Sequence, residues 1–185
     1  MFEKQLSIVP KMLKKGDIWI SAVLYIGIGI VAITMILGAA LPMIENLKDK
    51  NTIEDTKNLI YVLDKNIRAV ASEGPGSQRE LNPFIVNKGN FYIDFNDTDS
   101  INWSITTKAF YIENDATIQE GSIDISSMAT NIKGENIVTL GTHYDKLNLS
   151  LQGDLQNPFL GTYTLVVKNT GSYTDDKLVI EVHVQ

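Results

Sequence analysis

Hydrophobic and polar positions divide this chain into three regimes. From Ile18 to Ile44 there are 27 residues without one Asp, Glu, Lys, Arg or His. As a helix rising about 1.5 Å per residue, that run is about 40 Å long, whereas a bilayer's hydrocarbon core needs only about 20 apolar residues. Beyond Pro42 the pattern becomes one-sided. Ile53, Thr56, Ile60, Leu63, Ile67 and Val70 recur at spacings of three and four, and Leu59 and Val62 widen the stripe. Glu54, Asp55, Lys57, Asn58, Asp64 and Lys65 take the opposite face. Ser72-Glu73-Gly74-Pro75-Gly76 then stops the helix. One helix over 17–73 is therefore expected, apolar all round to about 44 and amphipathic after it.

From residue 77 to 185 the pattern is that of strands. Phe84-Ile85-Val86 and Phe91–Phe95 flank Asn87-Lys88-Gly89-Asn90, which predicts a hairpin. Ile101, Trp103, Ile105 and Thr107 alternate with polar residues. Further strands are expected at Ala109–Ile112, Gly121–Ile125, Ile137–Leu140, Leu147–Leu151, Gly161–Lys168 and Leu178–Val184. The last two are joined by the turn-rich Asn169–Asp176. Eight or nine short strands point to an antiparallel β-sandwich, so the fold class is α+β: a long hydrophobic helix, then a sandwich of immunoglobulin-like type.

Within the apolar run, Gly27, Gly29 and Gly38, with Ala22, Ala32, Ala39 and Ala40, allow helices to approach closely. Pro42 lacks an N–H and is expected to bend or open the helix near Gly38.

Charge adds a direction. The net charge is −6, but residues 1–16 carry four lysines against Glu3, leaving −9 for the remainder. Lysines beside a first apolar segment hold that end in the cytoplasm, which sends the β domain outward. An acidic remainder without Lys/Arg clusters argues against nucleic-acid binding. With no cysteine, neither disulfides nor thiolate metal sites are available.

Chemistry is sparse. His143 and His183 have no carboxylate at ligand spacing, and no P-loop, G-x-S-x-G elbow or dinucleotide glycine pattern occurs. Neither an enzyme nor a cofactor is expected. Asp94, Asp97 and Asp99 form a weak calcium candidate, lacking the glycine and distal glutamate of an EF-hand. Asn96, Asn102 and Asn148 each begin an Asn-x-Ser/Thr sequon and are candidate N-glycosylation sites, Asn102 the least favoured because it lies within a strand beside Trp103.

At Lys14-Lys15-Gly16-Asp17 the small residue precedes the apolar core, and no A-x-A-like site follows it. Cleavage after Gly16 would remove the basic leader, 1–16, and leave the apolar segment on the product. This arrangement resembles the class III signal peptide of the archaeal type IV pilin-like and archaellin superfamily. The resemblance implies a prepilin peptidase cutting after Gly16, then an assembly ATPase and a platform protein moving subunits from the membrane into a helical homopolymer. Helices would bundle in the core and β domains would form the outer shell, at the cell surface. Bacterial-type pilins carry a glutamate at the fifth mature position. Here that position is Ser21, and Asp17 is left to neutralise a new amino terminus. An adhesive pilus is favoured over a motility filament, and major and minor subunits are not separated. The alternative is a single-pass anchored surface protein whose β domain binds a partner without polymerising.

Overall fold

The computed structural model describes residues 15–94, 98–152 and 157–184. It has the expected α+β architecture: one long helix, then eight strands. Two compact units divide the chain, residues 1–44 and residues 45–185.

Helix α1 runs from Lys15 to Glu73. It is α-helical without interruption through Pro42, so the opening expected near Gly38 does not occur. A proline deletes one backbone donor, and the flanking hydrogen bonds carry the helix past it.

The second unit begins with the rest of α1. Ile53, Ile60, Leu63, Ile67 and Val70 are fully buried and Thr56 nearly so, as the three-four spacing requires. Val62 is a correction, since it is half exposed. Lys57 and Asp64 correct the sequence reading in the other direction, being buried. The helix stops at Glu73, and Gly74 follows with φ +97. The carbonyl of Val70 is satisfied twice, by Ser77 Oγ at 2.8 Å and by the amide of buried Asn169 at 3.1 Å.

The strands are β1 (Gln78–Ile93), β2 (Ser100–Thr107), β3 (Thr117–Glu120), β4 (Ile123–Ala129), β5 (Asn136–His143), β6 (Leu147–Gln152), β7 (Phe159–Thr174) and β8 (Lys177–Val184). They join in the order β3-β4-β5-β2-β1-β7-β8-β6. Every pairing is antiparallel except β6 with β8, which is parallel. Alternate residues (Ile101, Trp103 and Ile105 on β2, Ile123 and Ile125 on β4, Val138 and Leu140 on β5) enter one core together with the α1 stripe. The sheet curls far enough for Asp99, just before β2, to accept a hydrogen bond from Leu149 N on the β6 edge.

Several expected boundaries move. Asn87–Asn90 is not a hairpin turn: β1 runs through it, pairing with β7 up to Val86 and again at Phe91, and with β2 from Asn90. Gly89, at φ +84, makes an irregularity there, and Trp103 packs against it while donating Nε1–H to Lys88 O at 2.8 Å. Ala109–Ile112 is not a strand, because the Ala109 amide is taken by Thr107 Oγ1. The strand expected at Gly121–Ile125 lies at Ile123–Ala129, after the unexpected β3. The β7–β8 turn is confined to Asp175-Asp176, both at positive φ, as in the two-residue turns that suit twisted strands.

Candidate functional site

Two features stand out: the apolar segment of α1 and the surface of the β-bearing unit. In the first, an 18-residue window has a mean hydropathy of 2.5 and none of it is buried. By length and composition the helix can cross a membrane. Trp19, Tyr25 and Met35 are each more than 70% exposed, and nothing lies within 4 Å of a side-chain carbon built on Gly27, Gly29 or Gly38. Around Gly27 the surface forms a shallow notch lined by Val23, Leu24, Ile28 and Val31. Lys15, Gly16 and Asp17 lie in helical backbone, two residues earlier than the expected start, and Lys14 falls outside the described residues.

In the second unit, buried charges fasten α1 to the sheet. Lys57 Nζ lies 2.8 Å from Glu54 and 3.1 Å from Glu120 at the end of β3. Burial alone would lower its pKa, but the two carboxylates outweigh this and hold the ammonium above the usual lysine value. Hydrogen bonds from Lys57 and Tyr111 hold Glu54 below the ordinary carboxylate value. Burial, and then the bond to Glu54, pushes the Tyr111 phenol up to about 12. Asp64 accepts from Arg68 Nε at 2.8 Å and Ser122 Oγ at 2.9 Å. Burial, reinforced by Asp64, raises the phenol of Tyr144 beneath the Arg68 guanidinium. These groups form two clusters along the seam between helix and sheet, so their effect is on stability.

The described aspartates of the acidic loop are also satisfied internally. Asp99 is buried, its carboxylate receiving Leu149 N at 3.0 Å and Lys177 Nζ at 2.6 Å. An ammonium thus stands on the carboxylate where a cation would sit. Asp94 Oδ1 accepts the Asp99 amide, while Asp97 lies outside the described residues. Among the described residues no three His, Cys, Asp or Glu side chains are grouped to hold a metal ion. Against the sequence expectation, His143 does have a carboxylate in reach, Asp145 at 3.3 Å, but both are exposed.

Of the sequons, Asn96 is outside the described residues. Asn102 sits on β2 between β1 and β5, half buried, its amide on Ser100 Oγ and its oxygen over Gly141. Asn148 lies on edge strand β6, half buried.

Sequence reasoning missed a groove of about 500 Å³ between α1 and the first part of β1. Leu59, Val62, Pro83 and Ile85 line it, and Asp55 and Glu80 contribute carboxylates. Val62 was the available signal, an apolar residue at the margin of the helix stripe.

No family model, curated protein or solved structure matches this chain.

Proposed function

We propose that this protein is the structural subunit of an archaeal type IV pilus-like surface filament serving attachment, built by bundling of the apolar helix segment. The observation that carries the reading is the stretch Trp19–Ile44: uncharged, helical and exposed along its length, with open glycines. Water is a poor environment for such a surface, and lipid or other copies of the same helix can each cover it. The same α1 buries its later residues under a curled sheet, so each copy would carry its own β domain into the filament. In this account the lysine-rich end stays cytoplasmic before assembly, a prepilin peptidase cuts between Gly16 and Asp17, and an ATPase and platform protein drive extraction from the bilayer. Gly27, Gly29 and Gly38 are the closest-approach positions in the bundle.

The test is to shear cells, sediment the released material and image it. Filaments labelled along their length by an antibody to the β domain support the reading. Protein retained wholly in the membrane fraction, with no filament labelled, overturns it in favour of an anchored binding module.

A further inference from the structure

The groove between α1 and β1 has a counterpart elsewhere on the same unit. The β4–β5 connection ends in Ile132-Lys133, both exposed, Ile132 at 60%. Two backbone bonds and one to a side-chain hydroxyl hold this tip in shape. Thr130 N donates to Glu135 O at 3.0 Å, Glu135 N to Ile132 O at 3.0 Å, and Ile132 N to Thr130 Oγ1 at 3.1 Å. Turn tips are normally polar, so a rigid turn that presents isoleucine beside lysine is a preformed apolar knob with a cation. No ion pair involves Lys133 among the described residues, and the same is true of Asp55 and Glu80 in the groove. Apolar character and charge sign match.

We propose that the Ile132-Lys133 tip of one copy seats in the α1–β1 groove of the next, Ile132 against Val62 and Ile85 and Lys133 toward Glu80. The knob and the groove share no residue, and β2 separates β5 from β1 in the sheet. The contact is therefore between two different patches, and such heterologous contacts repeat without closing when the rotation does not complete a ring. It rests on the filament reading and gives that reading a specific shell contact between β domains.

The chain has no cysteine, so engineered thiols can report on the contact. Full-length protein carrying Val62→Cys and Ile132→Cys is produced in its native cell, sheared from the surface and mildly oxidised. The expected result is a thiol-reversible ladder of dimer, trimer and higher species, with either single variant remaining monomeric. Filaments that sediment normally but yield only monomer, as a groove occupied by a glycan or a foreign protein would give, overturn the contact and leave the filament reading intact. If unsubstituted protein gives no sedimenting filaments, both fall. A charge exchange gives a second route. Lys133→Glu is expected to lower filament yield at least fivefold, and adding Glu80→Lys to restore it. An unchanged yield in the first variant, or no rescue in the second, overturns the proposal.

Discussion

Asn169 shows how much a single side chain carries in this domain. It is 1% exposed, and its amide donates to the Val70 carbonyl that the helix end leaves open, while its oxygen accepts Gly171 N at 2.8 Å. Asn169→Ala leaves Gly171 N without its acceptor and removes one of the two donors to the Val70 carbonyl, Ser77 Oγ remaining, and an unmet buried polar group costs about 1–3 kcal/mol. Urea unfolding should show a loss of that size with little change in m-value. Tyr111 contributes to the alkaline limit, as does the more deeply buried Tyr144. The Tyr111 phenol is raised from the ordinary value of 10 to about 12, so the folded state favours the neutral form. The stability from this contact is full below about pH 10 and is lost as pH climbs toward 12. Glu54 acts in the opposite sense. Its lowered pKa contributes stability above the ordinary carboxylate value of 4.5, and this is lost on acidification below it. Melting temperature against pH should therefore fall at both ends. Tyr111→Phe should soften the alkaline limb and Glu54→Gln the acid limb.

Among the elements, β1 is the most sensitive at Gly89. A side-chain carbon there would lie 2.6 Å from Ser104 O and from Trp103 Nε1, at a φ of +84 that other residues resist. Gly89→Ala should cost about 1–3 kcal/mol or more and move the indole, read by calorimetry and by tryptophan fluorescence. Asn87–Asn90 looked like a reversal because the residues that make turns also make bulges. What decides between them is Trp103, fourteen positions beyond Gly89 and invisible to a local pattern. The centre of the α1 stripe, by contrast, was legible, since Ile53, Ile60, Leu63 and Ile67 announce a buried face by spacing alone, whereas Val62 at its margin was misplaced. Lys57 and Asp64 were misplaced for the same reason as the turn, because their partners Glu120 and Ser122 lie 63 and 58 residues away. Strand β3 has all four residues exposed and so carries no alternation of buried and polar positions to read. The apolar run was legible from composition, whereas the groove, built from α1 and β1 together, was not. Ile67→Ala should remove about 2–5 kcal/mol, as for other buried isoleucines.

The whole molecule combines two kinds of burial. Residues 45–185 form a core of their own around the last turns of α1, while the run from Trp19 to Ile44 is exposed, and on the filament reading it is covered first by lipid and then by other copies. If copies replace lipid, the basic leader must be gone, because four lysines per subunit would otherwise gather at one end of the bundle and repel one another. Removal of residues 1–16 is thus the step on which the filament account depends. The most direct measurement is the intact mass and amino-terminal sequence of the protein in two fractions of its native cells, sheared filaments and membranes. The account predicts a start at Asp17 in the filaments, with any chain starting at Met1 confined to the membranes. A start at Met1 in all recovered protein would contradict it.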